Sequence, residues 1–224
     1  MSTREKSKNA RRMAILDAAR QLIRDAKSND FSMSELAAKA GVSLVTPYNL
    51  FGSKSDILLE IARTDVYQRA ADITALSKKG LPFWVAGTAR LLGRIFYTNR
   101  HFYRRLIITL VAQEHAANFR ELLEVNYQLF EKPLQNLCDA GALPLGPPVN
   151  VLARHVSRSV IGSLQDCLNE RGSEELLSGE LEVGLSLLLM GCAGPADRKA
   201  LLKQITPMPA VQGQGLSKSD GPVN

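Results

Sequence analysis

The 224-residue sequence predicts an all-α protein in which a small N-terminal head of three helices is followed by a larger helical body. Three observations predict it. Apolar residues recur at spacings of three and four in segment after segment, the period of a helix with one buried face. Ser-initiated caps and glycine stops divide those segments. Apolar residues make up 45% and charged residues 22%, so the chain can bury a core and lacks the composition of a disordered one.

The first helix is expected over about Asn9 to Ala26, where Ile15, Leu16, Ala19, Leu22, Ile23 and Ala26 share a face. The segment 27–30, Lys-Ser-Asn-Asp, ends it. Ser32-Met33-Ser34-Glu35 then reads as a capping box, in which Ser32 accepts from the Glu35 amide and Glu35 reaches back to Ser32. The short second helix turns Leu36, Ala37 and Ala40 inward and stops at Gly41, where the absence of a Cβ permits a left-handed exit. Val42 plugs the turn, and Ser43 is the expected N-cap of a third helix from Leu44 to about Phe51, closed by Gly52. Ser53-Lys54-Ser55-Asp56 opens the fourth helix, expected to reach Ser77. Two short helices joined by Ala40-Gly41-Val42-Ser43 form a helix-turn-helix pattern, whose second helix suits the major groove of DNA. An ordinary helical corner has the same local sequence.

Charge is concentrated where that pattern begins. Arg4, Lys6, Lys8, Arg11 and Arg12 face only Glu5 in the first twelve residues, which places four of the six net positive charges there. With almost nothing apolar to anchor it, this arm is expected to be mobile until its cations meet phosphate. A solubilising tail is the alternative.

The string Ala37-Ala38-Lys39-Ala40-Gly41-Val42-Ser43-Leu44-Val45-Thr46-Pro47-Tyr48-Asn49-Leu50-Phe51-Gly52-Ser53-Lys54 resembles the N-terminal region of the tetracycline-repressor (TetR) family of transcription regulators, over about Arg12 to Ile61. The resemblance implies a DNA-binding head (residues 1–53), an effector-binding and dimerising helical body (54–206) and a tail (207–224). It implies that Tyr48 and Lys54 hold DNA phosphates, with Ser32 and Ser43 capping the two motif helices, contacts that position the protein without reading sequence. It implies that Leu44, Val45, Thr46 and Asn49 read bases, with Ser34 entering the same groove. Residue chemistry agrees: Asn pairs with adenine, and Leu, Val and the Thr methyl suit thymine methyls. No Arg or Lys lies between Leu44 and Phe51, so an A·T-rich operator core is expected. Pro47 stands where the family usually has a large apolar residue. As the fourth residue after Ser43 it forfeits the first intrahelical hydrogen bond, so the helix is expected to start late or tilt. Met33 replaces a polar residue common at a phosphate contact.

Beyond the 78–82 break, Lys-Lys-Gly-Leu-Pro, helices are expected from Pro82 to Asn99, from His101 to about Ala112, from Ala116 to Ala140 with a kink near Leu129 to Pro133, from Asn150 to Glu170, from Ser173 to Met190 and from Asp197 to Ile205. Gly141 ends the third of these, an Arg171-Gly172 turn joins the next two, and the Pro- and Gly-rich remainder reads as a disordered tail. The resemblance implies a homodimer through helices about 150–170 and 173–190. Val183, Leu185, Leu187, Leu188, Leu189 and Met190 are apolar nearly all round, more than one buried face needs, although a monomeric core also accommodates them.

For a small-molecule effector of unknown class, the candidate pocket residues are Trp84, Phe96, Tyr103, His115, Phe119 and Tyr127; a plain aromatic core is the alternative. His101 and the group Arg90, Arg94, Arg100, Arg104 and Arg105 offer polar contacts, or simply a solvated face. Cys138, Cys167 and Cys192 are too far apart for a close-paired zinc site and read as buried thiols. No metal, cofactor or catalytic residue is expected, since no nucleophile elbow, phosphate loop or His-Glu-x-x-His pattern occurs. The longest apolar run is too short to span a membrane and no signal peptide opens the chain, so a cytoplasmic protein is expected. The competing readings are an all-helical small-molecule or lipid carrier without DNA binding, and a non-specific architectural DNA binder.

Overall fold

A computed structural model describes residues 2–25, 31–104, 116–167 and 173–205, and these residues contain helices and no strand. The helices are α1 (Thr3–Asp25), α2 (Met33–Lys39), α3 (Val45–Phe51), α4 (Lys54–Ser77), α5 (Leu81–Thr98), α6 (Ala116–Asp139), α7 (Val149–Cys167), α8 (Glu174–Met190) and α9 (Pro195–Ile205), with a further helical stretch at 100–104.

The first correction concerns the N-terminus. The basic arm is helical rather than irregular: α1 begins at Thr3, six residues before the expected start. Ser2 and Glu5 make a reciprocal cap, the Ser2 amide donating to Glu5 Oε2 at 2.9 Å and the Glu5 amide to Ser2 Oγ at 3.3 Å. The one anion among the arm's cations thus nucleates the helix that carries them. Arg12 is structural as well. It donates to the Leu50 carbonyl at 2.8 Å and to Glu60 at 3.3 Å, and its guanidinium stacks 4.3 Å from the Phe51 ring centre. It therefore pins the end of α3 between α1 and α4.

The turn from α2 to α3 follows its sequence closely. Gly41 adopts φ +67°, the Gly41 amide donates to the Ala38 carbonyl at 3.2 Å, and the Val42 amide donates to Ala37 at 3.0 Å. These are the two bonds of a Schellman motif, with Val42 packed against the core beneath. The same motif at Gly141 ends α6. Helix α6 passes through buried Pro133 without interruption.

One continuous apolar core runs through the molecule. Ile15, Leu16, Leu36, Ile57 and Ile61 fill the head, and Val66 and Ile73 carry the core along α4 into the body, where Trp84, Leu92, Phe130, Leu134, Leu181 and Leu185 complete it. Helix α4 lies against α1 on the head side and against α5 and α6 on the body side. Helices α5 and α8 approach so closely at Gly93 that a Cβ there would lie 3.0 Å from the Ser178 backbone. Helix α9 closes the body over α5 and α8, with Gln204 donating to the Pro82 carbonyl at 3.1 Å. The Arg171-Gly172 turn, the tail from 207 and most of the expected His101 to Ala112 helix lie outside the described residues. Cys138 and Cys192 are free and half-buried rather than fully buried as expected, because they sit at the body's end where α6 and α8 run out into loops.

Among the described residues no helix is long and apolar enough to cross a membrane, and no group of three or more His, Cys, Asp or Glu side chains is placed to hold a metal.

Candidate nucleic-acid interface

Helix α3 divides cleanly by face. Pro47 is buried, and Leu50 and Phe51 pack against the core. On the opposite face Leu44, Val45, Tyr48 and Asn49 are exposed, the first three to 50%, 60% and 49%. Three large apolar side chains held in water on one short helix are an expensive arrangement for a surface without a partner. Thr46 lies half-buried between the two faces.

Pro47 controls how this helix begins. Lacking an N–H, it cannot donate to the Ser43 carbonyl, which accepts instead from the Thr46 amide at 2.9 Å, one residue early. Regular α-helix starts at Val45, so the late start expected from the proline is observed. The expected Ser43 side-chain cap is not: the Ser43 hydroxyl pairs with the Thr46 hydroxyl at 2.8 Å, and the helix has no side-chain cap to a backbone amide. The distorted first turn leaves the hydroxyl-to-hydroxyl pair as the local solution, and it fixes the Thr46 rotamer at the edge of the exposed face.

Ser32 makes the capping box its sequence predicts. Its amide donates to Glu35 Oε2 at 2.7 Å and its oxygen accepts from the Glu35 amide at 3.2 Å. Ser34 Oγ lies 2.8 Å from Ser32 Oγ, so the two exposed hydroxyls form one polar patch at the start of α2. The Glu35 carboxyl is held below its ordinary pKa by the backbone and then the side-chain hydrogen bond of Ser32. Met33 is half-buried against the core, so its side chain takes up packing rather than a polar surface role.

Lys54 begins α4, its ammonium 4.4 Å from the centre of the Phe31 ring. Partial burial lowers its pKa from the usual lysine value. A cation held partly out of water over an aromatic face gains more from an incoming phosphate than a fully hydrated one does. Its helix is fixed by a second capping box between Ser53 and Asp56, with bonds of 2.8 and 3.2 Å.

A buried polar chain, absent from the sequence reading, joins this head to the body. Arg20 on α1 pairs with Asp65 Oδ1 on α4 at 3.1 Å, and Asp65 Oδ2 accepts from the Tyr103 hydroxyl at 2.7 Å. Arg69 lies 3.6 Å from the same carboxylate and also bonds the Tyr103 oxygen. Burial raises the Tyr103 pKa well above the phenol range, with Arg69 opposing and Asp65 reinforcing the shift. Apart from Asp65 and Arg69, one turn apart on α4, its bonded partners stand 34 to 45 residues apart, and no local pattern announces them.

The candidate pocket residues are scattered through this body. Trp84 is wholly buried, donates to the Ile73 carbonyl at 3.2 Å and meets Phe130 edge-on. Phe96 and Tyr103 pack edge-to-face, 4.4 Å between ring centres. Tyr127 is half-buried under the Arg154 guanidinium, at 5.0 Å. His115 and the Phe119 side chain lie outside the described residues. Between α6 and α7 an open cleft of about 220 Å³ is lined by Arg120, Leu123, Glu124, Arg154, Ser157 and Arg158.

The comparisons agree with this architecture. Residues 15–61 match the family described as bacterial regulatory proteins, tetR family. Among solved structures, FadR of Thermus thermophilus, a TetR-family transcriptional repressor in complex with lauroyl-CoA, is similar at a TM-score of 0.69 and 21% identity, over 82% of this chain and 95% of that one. RolR in complex with resorcinol is similar at 0.67 and 15% identity, over 92% and 98%. NalD of Pseudomonas aeruginosa, the secondary repressor of the MexAB-OprM multidrug efflux pump, is similar at 0.54 and 18% identity, over 85% and 99%. No curated protein sequence matches the chain.

Proposed function

We propose that the chain is a sequence-specific transcriptional repressor, acting as a homodimer and released from its operator by a small molecule; the match of residues 15–61 to the tetR family of bacterial regulatory proteins supports this reading. The observation that carries this reading is the outward face of α3, where Leu44, Val45, Tyr48 and Asn49 stand exposed on a helix locked from behind by Arg12. A major groove accommodates such a helix, and that set of side chains can contact thymine methyls and adenine edges. Tyr48 and Lys54 would hold phosphates, Thr46 and Ser34 would enter the groove with the exposed face of α3, and Ser32 and Ser43 stand at the starts of α2 and α3. The protein would work in the cytoplasm, where the duplex is.

Dimerisation is supported by α7 and α8. Leu187 and Leu176 are exposed on α8, the first to 58%, and Val151 is exposed on α7, so the monomer does not absorb all the apolar residues of these helices. A second copy related by two-fold symmetry would cover them and set two α3 helices about 34 Å apart, one turn of duplex.

Release by an effector is supported by the buried chain from Arg20 through Asp65 to Tyr103 and Arg69, which ties the head to the body's packed aromatic region. A ligand that binds better when those bonds are rearranged shifts the population toward a head orientation that does not fit the operator. Two of the structurally similar proteins described above, FadR and RolR, were solved with lauroyl-CoA and with resorcinol, which supports a ligand-responsive body here without choosing a ligand.

The test is selection of bound sequences from a random duplex pool by the full-length protein, then titration of the selected site. The expected result is a near-palindromic, A·T-rich site. Tyr48→Phe and Lys54→Ala weaken binding to all duplexes, and Lys54→Ala also flattens the salt dependence by about one charge. Asn49→Ala costs about 1–3 kcal/mol at one base pair and relaxes preference there. Salt-sensitive binding with no enriched sequence would favour an architectural role, and no binding in any condition would favour a carrier.

A further inference from the structure

We propose that the α6/α7 cleft is an anion-binding subsite that takes the carboxylate or phosphate of a small molecule; that this molecule is the effector rests on the regulatory reading above. The cleft is built by two helix faces. Arg120, Leu123 and Glu124 follow one another at spacings of three and one on α6, with Tyr127 a turn further on, and Arg154, Ser157 and Arg158 repeat that spacing on α7. Three guanidinium groups therefore converge on a space of about 220 Å³ whose one acid is Glu124.

That acid is already engaged. Glu124 accepts from both terminal nitrogens of Arg154, at 2.8 and 3.3 Å, and Arg154 stacks on Tyr127 at 5.0 Å. The pair holds Arg154 at the cleft wall and leaves Arg120 and Arg158 with no acid partner among the described residues. Planar guanidinium forks match the paired oxygens of a carboxylate or phosphate better than they match a halide.

A second observation is independent of the charges. Ser157 lines the same cleft, is 1% exposed, and its buried hydroxyl has no hydrogen-bond partner. A buried hydroxyl without a partner is costly in a packed protein, and one on a residue that lines a cationic cleft gains an acceptor when a rotamer change turns it to a bound oxyanion. The volume decides how much of a ligand is held. Pockets that enclose a whole drug-sized molecule measure roughly 300–1,000 Å³, so this cleft fits a charged head group and leaves the remainder to lie along Leu123 and Tyr127.

The experiment is calorimetric titration of the full-length protein with pyrophosphate and, separately, citrate, each at ionic strength fixed with sodium chloride. Saturable binding of one anion per chain is expected, the tighter probe assigning phosphate or carboxylate. Arg120→Gln and Arg158→Gln should each weaken it about ten-fold, the scale of one charge-assisted hydrogen bond. Glu124→Gln should tighten it by removing the competing acid. Ser157→Ala should weaken it while leaving the melting temperature unchanged or higher, a combination that a purely structural serine does not give. Heats equal to the chloride control, or binding that survives both arginine substitutions, would overturn the proposal. Binding of the selected duplex is measured on the same samples: duplex binding without anion binding removes the subsite and spares the repressor reading, and the reverse result removes the repressor reading and spares the subsite.

Discussion

Lys54 shows how much a single side chain at the interface depends on what lies under it. Over Phe31 and partly out of water, its ammonium gives up its proton below the usual lysine value of 10.5, whereas a DNA phosphate beside it restores the charged form. Binding is therefore coupled to proton uptake at alkaline pH. Duplex affinity should fall as the pH rises through the lowered value, and Lys54→Gln should remove that part of the pH dependence, measured by fluorescence anisotropy. Glu35 works in the opposite direction. Its folded pKa lies below 4.5, so its contribution to the α2 cap is complete above 4.5 and is lost as the pH falls through the lower folded value. Gly41 is simpler still. A Cβ there would touch nothing within 4 Å, yet φ is +67°, so Gly41→Ala should cost about 1 kcal/mol from backbone conformation alone, read as a lower melting temperature, with Gly41→Asn costing less.

Helix ends were legible from the sequence because they are local. Ser32 with Glu35, Ser53 with Asp56, Gly41 and Gly141 all act through residues within five positions, and each stands where the pattern puts it. Long-range partners were not legible: nothing near Arg12 points to the Leu50 carbonyl 38 residues away, and nothing near Asp65 points to Tyr103. The exposed positions of α3 follow from its helical period, whereas the DNA contacts assigned to them rest on the family resemblance. The start of α1 is not legible although its cap is local, because Glu5 lies among cations and the segment has no apolar face to mark it as a helix. Helix α3 lies between these cases. Its proline is visible, but only the structure shows the Ser43 hydroxyl turning to Thr46. Pro47→Ala should return the Ser43 carbonyl its usual donor and start the helix one residue earlier. Pro47 is also buried, so the same change opens a small cavity. The expected outcome is a selected operator with altered preference at the base nearest Thr46 and a change in stability of less than about 2 kcal/mol, read by repeated selection and thermal melting.

At the scale of the molecule the head and body are joined by polar and apolar links at once. Asp65 is the only acid bridging Arg20 and Arg69 among the described contacts, so Asp65→Ala leaves two cations partly buried without it and should cost about 3–5 kcal/mol in denaturant unfolding. Tyr103→Phe, which removes the shared hydroxyl, should cost about 1–2 kcal/mol and less than additively with Asp65→Ala. Leu187→Glu places a charge on the exposed face of α8 and should give a folded monomer by sedimentation, with operator affinity lost. The apolar core has a different consequence, for anyone exchanging heads between such proteins. Ile57, Leu58 and Ile61 belong to the core of the head, where α4 packs on α1, although they stand on the long helix that continues into the body. A transplant cut at the 53/54 junction would strip the donor of its own keel and seat it on a foreign one. A splice moved past Ile61, and placed before Asp65 so that the recipient keeps its acid, transfers a head that arrives already assembled.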